Sequence, residues 1–94
     1  MVPHMTETSD IRRKRLLFRS WHRGMREADL LLGPFAERHL PAMSPEELDR
    51  FEVLLGERDD DLVAWISGRA EPPAALDGAL LQSLRQFRAG PRPG

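Results

Sequence analysis

Apolar residues recur along this chain every three to four positions, and no stretch alternates between apolar and polar residues as a half-buried strand does. This spacing predicts a small all-α bundle of about five short helices in a single domain. The inward-facing side chains expected from the five stripes are, in chain order, Leu17, Phe18, Trp21 and Met25; Leu30, Leu31, Phe35 and Leu40; Leu48, Phe51, Leu54 and Leu55; Leu62, Val63, Trp65 and Ile66; and Leu76, Leu80, Leu81, Leu84 and Phe87.

The clearest helix boundary in the sequence lies at Ser44-Pro45-Glu46-Glu47. A serine N-cap, a proline at the first helical position and a glutamate at the third form a capping box. Gly56 is well placed to end this third helix, and a fourth is expected from Asp59 or Asp60 to a stop at Gly68.

The boundaries of the first two helices are less regular. Ser9 is the expected N-cap of the first helix, and a second helix is expected from about residue 27 to residue 39. Gly33-Pro34 should kink or divide this second helix, and Pro41 should close it. The predicted organisation is a flexible segment 1–8, a helical domain 9–88 and a disordered Pro/Gly-rich tail 89–94.

The net charge of −1 hides two segments of opposite sign. Residues 10–27 carry seven basic and two acidic side chains, whereas residues 44–61 carry two basic and eight acidic ones. Such asymmetry can orient a protein partner, and the acidic half would repel a nucleic-acid backbone. No apolar run is long enough to span a membrane, so neither a membrane nor a nucleic acid is the expected partner.

The chain offers little for catalysis or for metal binding. It has no cysteine, and its three histidines lack the i, i+3 or i, i+4 pairing of a helical metal site. Asp59, Asp60 and Asp61 are better explained as helix-capping residues than as calcium ligands. No glycine-rich phosphate loop is present either. We therefore expect a protein that is not an enzyme and that binds neither a metal nor a cofactor stably.

The segment Arg23-Gly24-Met25-Arg26-Glu27 is the most informative one. Glycine inside a helix costs about 1 kcal/mol relative to alanine, so Gly24 indicates either a helix break or a site of close backbone approach. Read from spacing alone, the segment could be a helix break followed by a capping carboxylate. The alternative is a charged surface offered to a partner.

In the order and spacing of its parts, the chain resembles the SdhE family of FAD assembly factors. The resemblance covers residues 11–72 and rests on the Arg-Gly-x-x-Glu segment together with later matching parts: Leu30-Leu-Leu-Gly-Pro-Phe35, Ser44-Pro-Glu-Glu-Leu48, Phe51, Leu54-Leu55, Glu57-Arg-Asp-Asp-Asp-Leu62 and Trp65. It implies a small helical protein that binds the flavoprotein subunit of succinate dehydrogenase. There it promotes covalent attachment of FAD to a histidine of that client, by stabilising a conformation competent for flavinylation.

By the same resemblance, the partner-binding surface is the segment Arg23, Gly24, Met25, Arg26 and Glu27, and we also assign Asp59, Asp61 and Trp65 to partner binding. Trp65 could equally be a core residue, and the aspartates could be helix caps alone. FAD resides on the client, fumarate reductase remains open as a second client, and the free protein is expected to be a monomer. A generic protein-interaction adaptor and a helix-turn-helix nucleic-acid binder are the alternative functions.

The compartment expected from the sequence is a bacterial cytoplasm. No secretory signal is visible, and the acidic residues Glu7 and Asp10 precede the basic segment, unlike a mitochondrial presequence. The absence of cysteine also fits a reducing compartment.

Overall fold

A computed structural model describes residues 8–89 of the chain, and within that range every regular element is helical. The prediction of an all-α fold is confirmed. The five α-helices are α1 (Ser9–Trp21), α2 (Arg26–His39), α3 (Pro45–Leu55), α4 (Asp59–Ser67) and α5 (Ala79–Ala89). Short 3-10 turns at Leu40–Ala42 and Ala74–Leu76 follow α2 and precede α5.

One hydrophobic core joins the five helices. All four apolar residues predicted for α3 and all four predicted for α4 are buried, so both stripes are confirmed. The largest fully buried side chains include Phe35, Phe51, Leu16, Leu32, Leu48, Leu62, Leu81 and Leu84. Leu81 and Leu84 bring α5 into this core, which means that α5 is an integral part of the bundle.

The predicted inward face of α1 is partly wrong. Leu16 and Ser20 are buried, Leu17 is only partly buried, and Phe18 is 62% exposed. The Ser20 hydroxyl donates to the Leu16 carbonyl at 2.8 Å, which satisfies its polar atom in the core. The N-cap is Thr8 rather than Ser9, because the Thr8 side chain accepts the Ile11 N–H at 3.1 Å.

Helix α2 is one continuous helix with Pro34 inside it, so the expected division is wrong. Leu30 was predicted to face inward and is exposed, so that prediction is wrong; Leu32, which was not assigned to the core, is buried. Pro34 has no N–H to donate to the Leu30 carbonyl, so α2 continues through this position without that one intrahelical bond. Gly33 has a packing role instead, because a Cβ there would overlap the ring of Trp21.

The predicted boundaries of α3 and α4 are confirmed. Both hydrogen bonds of the Ser44 capping box are present, Gly56 is the C-cap of α3, and α4 begins at Asp59. Gly68 caps α4 with a φ of +83°, a left-handed conformation that favours glycine. Leu76 lies in the 3-10 turn before α5. Of the predicted flexible segment 1–8 and the predicted tail 89–94, residues 1–7 and 90–94 lie outside the described residues, whereas Thr8 caps α1 and Ala89 ends α5.

Arginine side chains reach carbonyls at the ends of other helices. Arg13 donates to the carbonyls of Leu40 and Met43 at 2.9 and 2.8 Å, after the end of α2. Arg85 donates to the carbonyl of Trp65 at 2.9 Å, near the end of α4. The carbonyls of Leu40 and Trp65 also accept the N–H groups of Met43 and Gly68, and a carbonyl oxygen has lone pairs for both donors. Several arginines of this chain therefore serve the fold.

Candidate functional site

The candidate site is built on residues 22–25, which join α1 to α2 and which we call the motif loop. The side chain of Arg23 in this loop is only 10% exposed. Its Nε donates to Asp59 Oδ1 at 2.7 Å, and its two terminal nitrogens donate to the carbonyls of Leu55 and Glu57 at 2.7 and 2.9 Å. Arg23 therefore ties the motif loop to the turn between α3 and α4.

Two carboxylates hold the backbone of the motif loop. Asp59 Oδ2 accepts the Gly24 N–H at 2.8 Å, and Asp29 Oδ1 accepts the Arg23 N–H at 2.6 Å. Asp59 is the first residue of α4, where the helix dipole favours a negative charge. Because one carboxylate binds from α4 and the other from α2, the loop is fixed from two sides.

The conformation of Gly24 gives no reason within the chain for a glycine. Among residues 8–89 only Gly68 has a positive φ, so Gly24 lies in a conformation open to other residues. A Cβ on Gly24 would meet only Asp59 Oδ2, at an ordinary contact distance of 3.5 Å. Gly24 is also exposed. What the glycine does provide is a strip of bare backbone on the surface.

The residues that follow Gly24 are available to a partner. Arg26 and Glu27 are exposed in the first turn of α2, and their side chains have no hydrogen bond or ion pair within residues 8–89. Met25 is half-buried at the N-cap position, where no side-chain capping bond is made. Glu27 thus does not cap α2, and the carboxylate that binds the preceding loop belongs to Asp29.

The two remaining predicted site residues on α4 differ in their surroundings. Asp61 is half-buried, and its N–H is bonded to Asp60 Oδ1 at 2.9 Å. Trp65 is 7% exposed and lies in the hydrophobic core. This position agrees with the core alternative that the sequence left open for Trp65. Its assignment to partner binding stays a prediction, as does that of the other predicted site residues.

Sequence reasoning missed two parts of this site. Asp29 was not singled out, because its spacing from Arg23 does not correspond to any standard capping pattern. Phe18 was assigned to the core, yet its ring stacks on His22 in the motif loop with ring centroids 3.9 Å apart. Together with Arg19, Arg23, Gly24 and Asp59, these two rings line a shallow pocket beside the loop. The sequence carried no signal for this position, because helical spacing placed Phe18 on the inward face and its exposure is seen only in the structure.

A cluster of arginines on α1 surrounds one carboxylate of α3. Glu52 lies 3.0 Å from Arg12, 2.9 Å from Arg15 and 3.8 Å from Arg19. The hydrogen bond from Arg15 is the main reason that the pKa of Glu52 lies below its usual value; the bond from Arg12 acts in the same direction. Much of the basic charge on α1 is therefore engaged within the chain, which weakens the case for a nucleic-acid binder.

Other kinds of site find little support in the described structure. Residues 8–89 contain no group of three or more His, Asp and Glu side chains arranged to hold a metal ion. None of the described helices has the length and apolarity needed to cross a membrane.

Comparison with known proteins points to one family. A family model described as flavinator of succinate dehydrogenase matches residues 14–88. The chain is 39% identical over 87 residues to "Succinate dehydrogenase assembly factor 2, mitochondrial" of Komagataella phaffii, covering 88% of the chain and 46% of that protein. The protein of the same name from Candida glabrata is 42% identical over 90 residues, covering 92% and 59%. The chain spans about half the length of the curated relatives it matches.

These relatives overturn the prediction of a bacterial cytoplasmic protein. They are yeast proteins, and their names describe them as mitochondrial. The prediction relied on the visible N-terminal residues and on the absence of cysteine. Neither observation identifies the compartment in which a helical domain functions.

Proposed function

This chain belongs to the family of succinate dehydrogenase flavinators, and we propose that it binds the flavoprotein subunit of succinate dehydrogenase and promotes covalent attachment of FAD to a histidine of that subunit. The match confirms the resemblance drawn from residues 11–72. The match also moves the C-terminal limit of the resemblance from residue 72 to residue 88, so that most of α5 is included.

The observation that carries the proposal is the contrast between the two halves of the motif. Arg23 is bound inside the chain, whereas Gly24 is exposed, and the exposed side chains of Arg26 and Glu27 have no partner in the described structure. Exposed backbone lies here beside unpaired charges, on a loop that Asp29 and Asp59 already hold in place. Such a surface is suited to docking because the loop loses little conformational freedom when a partner binds. We assign contact with the flavoprotein to these exposed residues and to Met25.

The remaining predicted residues receive supporting roles in this proposal. Arg23 and Asp59 position the motif loop through their mutual bond and through the Gly24 N–H. Trp65 packs in the core and supports α4, and α4 in turn presents Asp59 and Asp61. Loss of Arg23 would then impair docking through disorder of the loop.

The chemistry of flavinylation belongs to the client. The bond between FAD and the client's histidine would form on the client with chemistry that FAD supplies, and this chain would contribute binding energy. A protein that binds one conformation of the flavoprotein more tightly shifts the population toward that conformation, and each tenfold difference in affinity corresponds to about 1.4 kcal/mol. Docking of the motif loop on the flavinylation-competent arrangement would raise the fraction of client molecules able to react.

Flavin fluorescence of the denatured flavoprotein subunit tests the proposal, since only covalently bound flavin survives denaturing electrophoresis. Cells lacking this protein are complemented with wild type, Glu27→Ala or Gly24→Leu. Glu46→Ala, at another exposed glutamate in the first turn of a helix, is the matched control. We expect fluorescence to be restored by wild type and by Glu46→Ala, and poorly by the two motif variants. Unchanged fluorescence on deletion would refute the proposal and favour a generic adaptor.

The names of the relatives favour mitochondria as the compartment of this proposed activity. Cell fractionation is the direct test, and we expect the protein to co-fractionate with succinate dehydrogenase. Repeating the fluorescence assay on the flavoprotein subunit of fumarate reductase, in cells that contain it, decides whether that enzyme is a second client.

A further inference from the structure

Phe18 stands out among the exposed apolar side chains. Ile11, Leu30 and Val53 are also exposed, and single exposed apolar residues are ordinary on soluble proteins. Phe18 differs because its ring stacks on that of His22 at 3.9 Å with an angle of 18° between the planes. It also lines a pocket together with Gly24 of the motif loop.

The stack is held in place by a hydrogen bond. His22 is the C-cap residue of α1, and its Nδ1 lies 2.8 Å from the Phe18 carbonyl oxygen. That carbonyl belongs to the last turn of the helix, where carbonyls lack an intrahelical donor. Because the carbonyl can only accept, Nδ1 carries the proton in this bond. An aromatic side chain already held in one orientation loses little conformational freedom when a partner covers it.

The charge around the stack indicates the chemistry of that partner. Residues 11–22 contain five basic side chains and no acidic one. Three of these basic residues share Glu52, and Lys14, one turn before Phe18, is exposed without a partner in the described structure. An apolar ring bordered by excess positive charge is complementary to an apolar patch bordered by carboxylates.

We infer that the Phe18–His22 stack is a second anchor of the docking surface, and that it receives an apolar patch bordered by carboxylates on the flavoprotein subunit. This inference rests on the proposed function. Its support is the pocket that the stack shares with Arg23, Gly24 and Asp59, which makes the anchor continuous with the motif loop. The surface then has an aromatic anchor on α1 and charged contacts on α2.

Affinity for the purified flavoprotein subunit, measured by titration calorimetry, tests this anchor. Phe18→Ala should weaken binding about tenfold or more, as truncation of an interface anchor does. The matched controls are Ile11→Ala and Val53→Ala, since these side chains are 55% and 58% exposed compared with 62% for Phe18. Each control should change affinity less than about threefold. Circular dichroism and thermal melting establish that all three variants are folded.

A charge reversal tests the acidic border of the partner patch. Lys14→Glu should slow association severalfold, and the difference from wild type should shrink as salt is raised. Arg50→Glu, at an exposed position on α3, is the control and should associate at the wild-type rate. Slowing by Lys14→Glu that does not depend on salt would overturn the electrostatic part of the inference.

The possible outcomes separate this inference from the proposed function. If wild type does not bind the flavoprotein subunit, the proposed function itself is wrong. If wild type binds and Phe18→Ala binds equally well, the anchor is refuted while the proposed function stands. If analytical ultracentrifugation shows a wild-type dimer that Phe18→Ala converts to a monomer, the occupant is a second copy of this chain and the inference is overturned.

Discussion

Arg23 and Asp59 lie 36 residues apart in the sequence and form one ion pair, with Arg23 Nε 2.7 Å from Asp59 Oδ1. The second oxygen of Asp59 accepts the N–H of Gly24 at 2.8 Å. One carboxylate therefore holds both the side chain of Arg23 and the backbone of the residue beside it. This pairing makes the motif loop a rigid part of the bundle.

The first prediction contrasts the two arginines of the motif. Arg23→Ala should lower the free energy of unfolding by about 2–4 kcal/mol, because it leaves Asp59 Oδ1 and the carbonyls of Leu55 and Glu57 without their arginine donor. Arg26→Ala should change it by less than about 0.5 kcal/mol, since the exposed Arg26 side chain has no partner in the described structure. Urea unfolding followed by circular dichroism measures both. Equal stabilities of the two variants would contradict the positioning role of Arg23.

The second prediction concerns two glycines. Gly33→Ala should lower the unfolding free energy by about 1–3 kcal/mol, because its Cβ would overlap the Trp21 ring, and such overpacking outweighs the better helix propensity of alanine. Gly24→Ala should leave stability nearly unchanged, since its Cβ has 3.5 Å of room. Thermal unfolding compares the two variants.

A double variant checks the cause of the Gly33 effect. Combining Gly33→Ala with Trp21→Leu, which removes the ring, should cost less than the sum of the two single changes. Additive effects would show that the loss has a source other than this contact.

The third prediction concerns pH. The pKa of Glu52 is lowered in the folded protein by its hydrogen bond from Arg15, so its ionised form adds stability at neutral pH. That stability is present above the ordinary glutamate pKa of about 4.3 and is lost as pH falls through the lowered folded value. Glu52→Gln should therefore melt at a lower temperature than wild type at pH 7, and the gap should narrow below about pH 4.

An exposed glutamate outside the helices serves as the control for this pH series. Glu71→Gln should follow wild type at every pH. A gap between Glu52→Gln and wild type that persists undiminished in acid would show that the loss comes from packing of the side chain and not from its charge.

The fourth prediction concerns the start of α3. Ser44→Ala removes the acceptor for the Glu47 N–H, 3.1 Å away, and should cost about 1 kcal/mol. Glu46→Ala, at a neighbouring position without a capping bond, should cost clearly less. Chemical denaturation measures both changes. A larger loss for Glu46→Ala would contradict the assignment of the cap.

Several features of the fold could be predicted because they depend on neighbours in the sequence. The Ser44 capping box, the Gly68 stop and the buried stripes of α3 and α4 all agree with the structure. Each involves residues within about one or two helical turns, where spacing alone decides which side chains meet. The family resemblance likewise depended on local order and spacing.

The wrong predictions of burial concern α1 and α2, whose apolar residues pack against the same core. The first two helices carry more apolar residues than the core accepts, so Leu16 and Leu32 are buried while Phe18 and Leu30 remain outside. Helical spacing identifies a face only to within about one residue, and contacts between the helices, such as that of Trp21 with Gly33, depend on the tertiary structure.

The candidate site shows the same division. The local sequence was enough to indicate the Arg-Gly-x-x-Glu segment, an all-α fold and the opposite charges of the two halves. Within the motif, however, Arg23 is turned inward to Asp59 and Glu27 is left exposed. This difference depends on a contact between residues 36 positions apart in the sequence. Only the tertiary structure could decide it, because the destination of a long, flexible arginine side chain depends on which carbonyls and carboxylates the folded chain brings within its reach.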